Sequence, residues 1–330
     1  MSEIKYVQPS RCKNHQGDMR RVGFELEFAG LSLHQTAQIV AKSLQGKVEF
    51  KTEAECTVHT DLGEFQLELD WQFGKRIAKE RAQARKEEGE EEDDQWMRWL
   101  TKVAQEIVPL EVVCPPIPMD QLQQLDAMVE AMRRSGAVGT RDAPHYAFGV
   151  HINPEIPNQE PETLAAYLQA YGLAQDWLID IHNVDLVRRL TPYIDKYPSS
   201  YLRQVMDYSD AVSLEQLIDD YLAHNPTRNR ALDMLPLFKF MNEQKIVEAL
   251  PDPRIKARPT FHYRLPNCEI EKTGWHLNQS WNIWCLVEYL ADSEETRSGL
   301  IDQWQEFQAG IPLGTPPWHQ DLDRLYTGLL

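Results

Sequence analysis

Two glutamates stand two residues apart in Gly23-Phe-Glu-Leu-Glu-Phe28. Read as a strand, Phe24, Leu26 and Phe28 face one way, and Glu25 and Glu27 face the other, roughly 7 Å apart. Carboxylates this close repel, and their burial is costly. A sheet's solvent face tolerates them. A hard cation such as Mg²⁺ would instead turn the cost into binding. Glu68 and Asp70 repeat the pattern in Phe65-Gln-Leu-Glu-Leu-Asp70. Glu111 interrupts the apolar run Leu110-Glu-Val-Val-Cys114, so it faces either a polar site or solvent at a sheet edge.

His151 and Asn153 share parity in Phe148-Gly-Val-His-Ile-Asn153. A neutral imidazole can ligate a metal, and an amide can orient a phosphate or substrate. A lone histidine is more often structural. His262 and Arg264 share a face in Phe261-His-Tyr-Arg-Leu-Pro-Asn267, and the planar fork of Arg264 suits phosphate. Arg228, Asn229 and Arg230 form a further polar cluster, which also reads as a solvated helix cap. Candidate nucleotide contacts are therefore Arg264, Asn153, Asn267 and Arg230. Candidate metal ligands are Glu25, Glu27, Glu68, Glu111, His151 and His262.

The elements that must position these residues follow from periodicity. Strands are predicted at 21–28, 65–70, 110–114, 146–153 and 260–265, with Pro115, Pro154 and Pro266 ending the last three. Helices are predicted at 33–45, 75–88, 96–107, 160–187, 213–224, 240–250 and 276–292. Another spans 120–135, with Asp120 as N-cap and Gly136 as terminator. The acidic run 87–94 reads as a solvated loop tip. Strands with helices between them give an α+β class with a mainly antiparallel sheet. Neither a GxGxxG fingerprint nor a Walker A sequence is present, which disfavours dinucleotide and P-loop folds.

Composition narrows the function classes. The 330 residues are 42% hydrophobic and 26% charged, enough for a sizeable core. A net charge of −17 repels nucleic acid. No run of eighteen apolar residues occurs, and Met1 to Arg21 lacks an apolar signal region. A cytoplasmic location and no membrane partner are the expectations. The five cysteines are widely spaced without a CxxC pair, so free thiols are expected rather than a disulfide framework or zinc site. Trp275, Trp281 and Trp284 stand at helical spacing and read as core before interface.

Taken together, the strands carry at least four carboxylates, two histidines and an arginine. If they are neighbours, their polar face is a metal-lined basin suited to phosphoryl transfer. At this point the chain resembles the amidoligases, a branch of the glutamine-synthetase-like carboxylate–amine ligases. The resemblance rests on Gly23–Phe28, Leu62-Gly-Glu-Phe-Gln-Leu-Glu-Leu-Asp70, Glu111-Val-Val-Cys-Pro-Pro-Ile117, Ala147–Asn153 and Tyr263-Arg-Leu-Pro-Asn-Cys268. Gly274-Trp275 and Ser280-Trp-Asn282 add to it. It covers most of residues 20–292.

The resemblance implies a glutamine-synthetase-like curved antiparallel sheet with helices on one face. It implies one catalytic domain over 1–330, with helical insertions at about 75–107 and 160–250. The concave face would hold ATP with Mg²⁺ or Mn²⁺. Glu25 and Glu27 look like paired metal ligands, Glu68 and Glu111 like further carboxylates, and His151 like the metal- or phosphate-facing histidine. Arg264 resembles the phosphate-binding arginine. Where glutamine synthetases read Glu-x-Arg, this chain reads His262-Tyr-Arg264. Either His262 replaces that carboxylate as a ligand, or one metal site is weakened. The implied reaction is ATP-dependent joining of a carboxylate to an amine through an acyl phosphate. No Ser/His/Asp or Cys/His arrangement contradicts this. The substrates would be small molecules or peptides, with no partner enzyme specified and a monomer or dimer expected. The alternatives are a metal-dependent hydrolase using the same carboxylates, or a non-catalytic nucleotide-binding member.

Overall fold

The computed structural model describes residues 4–69, 109–140, 148–185, 188–189, 194–310 and 314–330. Its sheet is organised around strand β1 (Arg21–Phe28), in which Val22, Phe24, Leu26 and Phe28 are fully buried. After β1 come β2 (Lys47–Phe50), β3 (Glu55–Thr60) and β4 (Gly63–Leu69). They are followed by β5 (Leu110–Val113), the two-residue β6 (Ile117–Pro118) and β7 (Val150–Pro154). The order runs β2-β3-β4-β5-β1, with β6 and β7 also paired to β1, and every pairing is antiparallel. With the helices below, this is the expected α+β class.

The predicted strand 260–265 is a series of isolated bridges beside β7: Thr260 with Glu155, Tyr263 with Ile152, and Asn267 with Gly149. The 260–267 side gains one residue between the last two bridges. Pro266 falls there and has no N–H to donate, so a continuous ladder cannot form. The segment nevertheless extends the sheet, and its apolar side chains Phe261 and Tyr263 turn away from His262 and Arg264. Phe261 stacks on Tyr167 with centroids 4.5 Å apart, and Tyr263 meets Trp284 at 5.0 Å.

Helix α1 (Leu33–Ser43) begins in a capping box of Ser32 and Gln35 and packs against β3 and β4. The predicted 120–135 helix is a 3₁₀ segment (Met119–Leu125) followed by α2 (Asp126–Arg134). Asp120 is not its cap. Pro118 occupies that position without a side-chain bond. Gly136 does follow the helix, at φ +100. Helix α3 (Pro161–Ile181) is buried almost all round and packs on α8 (Leu277–Asp292). Trp275, Trp281 and Trp284 are core residues.

Between α3 and α8 lie α4 (Ser199–Met206), α5 (Leu214–His224), α6 (Leu235–Met241) and α7 (Glu243–Ala249). The single helix predicted at 240–250 is thus two, divided at Asn242, whose side chain caps α7 by accepting from Lys245. Helices α9 (Glu294–Ala309) and α10 (His319–Leu329) follow α8. The predicted helices at 75–88 and 96–107, the acidic run 87–94, Asp70, Tyr146 and Ala147 lie outside the described residues.

One buried ion pair ties the sheet to the helices. Arg20 makes two bonds to Glu288 of α8, at 2.8 and 2.9 Å. Tyr167 and Trp284 also donate to that carboxylate, and the remaining Arg20 donors reach the carbonyls of Glu155 and Arg11. Every charge is bonded, the condition under which burial of an ion pair is tolerable. The five cysteines are all free thiols, four of them buried. Among the described residues no helix is long and apolar enough to cross a membrane.

Candidate active site

The strand registers decide which polar side chains meet. Residues directly opposite in an antiparallel pair share a face. Glu27 is opposite Glu111, Glu111 opposite Glu68, and Glu68 opposite Glu55. A row of carboxylates therefore crosses four strands. In the neighbouring row Glu25 lies between Val113 and His151. The bridge of Ile152 to Tyr263 then sets Arg264 beside His151 and His262 beside Asn153.

Glu25 is the hub of this face. Its Oε2 accepts from His151 Nδ1 at 2.8 Å. Its Oε1 accepts from Asn153 Nδ2 at 2.9 Å and from Arg258 Nη1 at 3.1 Å. Burial pushes the Glu25 carboxyl upward. The adjoining His262 and His151 imidazoles and the Arg258 guanidinium overcome that and hold it well below the usual carboxylate range.

Because Asn153 donates its amide N–H to Glu25, its Oδ1 must accept from His262 Nδ1, 2.5 Å away. The hydrogen-bond network thus assigns His262 the tautomer with the proton on Nδ1 and a lone pair on Nε2. His151 likewise spends Nδ1 on Glu25, which leaves Nε2 outside that bond. Burial, with the positive charge of Arg264 next, drives the His262 pKa well below its ordinary value. One ligand atom each from Glu25, His151 and His262 lies within 4.8 Å of the others. A histidine whose second nitrogen is tied to a carboxylate or amide is the usual form of a metal-binding imidazole.

Glu27 accepts from the backbone N–H of Gly149 at 2.8 Å, and its own N–H donates to the Gly149 carbonyl. A Cβ at Gly149 would stand 2.7 Å from Arg188 Nη2. Glycine is required there because Arg188 lies flat against the strand. Buried Arg188 donates to the carbonyls of Arg264, Leu265 and Pro266, each at 2.7 Å. It clamps the Arg264 segment to β7.

These groups form the floor of a cavity of about 890 Å³, lined by Glu25, Glu27, Glu68, Glu111, His151 and His262. The facing side comes from residues 226–229 and 250–258, including Arg228, Lys256 and Arg258. Arg264 lines the cavity as well, donating to Asp233 at 3.2 Å while its Nε is buried without a partner. Burial raises the Asp233 pKa against the pull of Arg264. Arg228 stands 4.0 Å from Asp252, and burial and the neighbouring Arg264 lower its pKa. Carboxylates, imidazoles and guanidinium groups lining one cavity suit a polyanion carried with a divalent cation.

Two sequence candidates need correction. Asn267 does not line the cavity: it accepts from Arg188 and donates to the Asn183 carbonyl at 3.0 Å. Arg230 is also outside, donating to the carbonyls of Lys196 and His224. Both serve the scaffold. Asn153 belongs to the Glu25 network. Arg188, Arg258 and Asp233 were not anticipated. Each sits outside an alternating strand pattern, and only the folded chain brings Arg258 to Glu25, Asp233 to Arg264 and Arg188 to the carbonyls of residues 264–266.

A family model described as "Putative amidoligase enzyme" matches residues 18–286. Nothing matches among curated proteins or among solved structures.

Proposed function

The chain belongs to the amidoligase family defined by that model, and from this premise we propose that it is an ATP- and Mg²⁺- or Mn²⁺-dependent carboxylate–amine ligase. One observation supports the reading above others. A cross-strand row of carboxylates, a Glu–His–His group and several guanidinium groups line a single cavity. Kinship with glutamine-synthetase-like enzymes is part of the proposal.

The donor set fits hard divalent cations. Glu27, Glu68 and Glu111 offer only carboxylate oxygens, the ligands Mg²⁺ prefers. Glu25, His151 and His262 mix oxygen with neutral imidazole, which also suits Mn²⁺. When bound, such ions neutralise phosphate charge and orient the triphosphate. Transfer of the γ-phosphoryl group of ATP to the substrate carboxylate would give an acyl phosphate and ADP, and attack of the amine on the acyl carbon would form the amide and expel phosphate and a proton.

The chain's own residues provide position and charge. Arg264, fixed by Asp233 and by the Arg188 clamp on its carbonyl, presents a guanidinium edge to phosphoryl oxygens. Arg228 and Lys256 give the facing side positive charge for an anionic substrate. No cysteine is among the residues lining the cavity, and burial pushes the thiols of Cys114, Cys268 and Cys285 upward, away from the reactive thiolate. Free cysteines and the use of ATP agree with a cytoplasmic enzyme.

The test measures ADP and phosphate from ATP and Mg²⁺ across pools of carboxylates and amines. ADP formation requiring both a carboxylate and an amine supports the ligase. Hydrolysis indifferent to the amine points to a metal-dependent hydrolase instead.

A further inference from the structure

Arg258 is held by fewer bonds than its position calls for. Its Nη1 donates to Glu25 Oε1. Its Nη2 lies 3.2 Å from His262 Nδ1, but that nitrogen carries the proton given to Asn153 and has no lone pair to offer. Its Nε is buried without a partner. A guanidinium has five donors, and among the described residues this one has a single firm acceptor. About a third of the side chain, 34%, is exposed, whereas Glu25 is 10% exposed.

Arg258 bonds the one carboxylate of the Glu25, His151 and His262 group. With the guanidinium on Oε1, the charge of that carboxylate is offset and its attraction for a divalent ion is reduced. An ion bound by Glu25 would also face a fixed positive charge a few ångströms away, and that repulsion is large in a partly buried site. Neighbouring arginines do not share this position: Arg264 is bonded to Asp233, and Arg228 lies by Asp252.

We infer that Arg258 is the resident counter-cation of Glu25 and competes with a divalent metal for the Glu25–His151–His262 position, so that metal loading there and withdrawal of Arg258 are one event. The inference rests on the metal-dependent reading above and adds that the position is guarded by the chain's own cation. Arg258 lines the cavity, so withdrawal from Glu25 would free its donors for an anion bound there. The metal and the anionic substrate would then favour each other's binding through one side chain.

The experiment titrates Mn²⁺ into the full chain without nucleotide, follows free Mn²⁺ by electron paramagnetic resonance, and detects imidazole coordination by ¹⁴N coupling. Arg258→Gln is expected to tighten Mn²⁺ binding at the imidazole-coupled position by at least about tenfold. Arg258→Lys, which keeps the charge, is expected to behave as the unaltered chain. Adding Glu25→Gln to Arg258→Gln should abolish the gain. Circular dichroism checks folding, and Arg258→Met carries the same comparison should Arg258→Gln not fold. Unchanged or weaker imidazole-coupled binding on loss of the Arg258 charge overturns the inference. If Mn²⁺ still binds without imidazole coupling, the carboxylate row and the ligase reading stand. Absence of Mn²⁺ binding in every variant removes both.

Discussion

Glu25 accepts from His151, Asn153 and Arg258 at once, so its carboxylate does two things: it carries charge and it fixes the orientation of its neighbours. Glu25→Gln replaces an acceptor with a donor facing other donors. The expected result is a loss of metal affinity of about 10- to 100-fold, the range for groups that orient metal-binding histidines. Isothermal titration with Mn²⁺ measures it, and an unchanged affinity would contradict the assigned network. Glu27→Gln should abolish ligase turnover while leaving the urea midpoint nearly unaltered, because among the described residues its carboxylate accepts from one backbone N–H, at 2.8 Å. Both glutamates were legible in the sequence because strand parity alone separates them from Phe24, Leu26 and Phe28. Arg258 was not, because it lies in a proline-bounded loop and reaches Glu25 across 233 residues of chain.

At the scale of elements, the site depends on how β7 and residues 260–267 lie beside β1. Gly149 and Arg188 make that contact close. Gly149→Ala forces the guanidinium off the strand, with a cost of about 1–3 kcal/mol expected for overpacking. Urea unfolding reads the cost, and turnover should fall with it because Arg264 loses its clamp. An unchanged stability would show that Arg188 is free to shift. Ser32→Ala is the contrasting case: loss of the capping box on α1 should cost about 1 kcal/mol without altering activity. The strands with Glu25 and Glu68 were readable from alternation, and those with Glu111 and His151 from short stretches ended by Pro115 and Pro154. The β2–β3 hairpin was not, since β2 is largely exposed and has no clean apolar face. The 260–267 segment read as a strand because its parity is right, yet Pro266 breaks the ladder that would make it one. Division of the predicted 240–250 helix at Asn242 was missed because the apolar spacing continues across the cap.

At the scale of the molecule, buried charge and buried imidazole join the helical layer to the sheet. Removing the Glu288 charge by Glu288→Leu leaves Arg20 buried and unpaired, and a loss of about 3–5 kcal/mol is expected in urea unfolding. His182 supplies a pH dependence. Burial, then the charge of Arg188, lowers its pKa from 6.5 to about 3, and its Nε2 has no hydrogen-bond partner. The unfolded chain therefore binds a proton between about pH 6.5 and 3 that the folded chain does not. Stability is full above pH 6.5 and falls as the pH drops through that window. His182→Leu should flatten this part of the profile, and an unchanged slope would show that other groups set it. The composition announced an acidic chain with a substantial core, but it did not show that acidic floor and cationic facing side would meet in one cavity. That meeting is the basis of the ligase account. Its most direct test is ADP release from ATP and Mg²⁺ over paired pools of carboxylates and amines, using the unaltered chain and Glu27→Gln. The account predicts ADP only when both partners are present, with Glu27→Gln inactive though folded. ADP release that ignores the amine, or survives intact in Glu27→Gln, would contradict it.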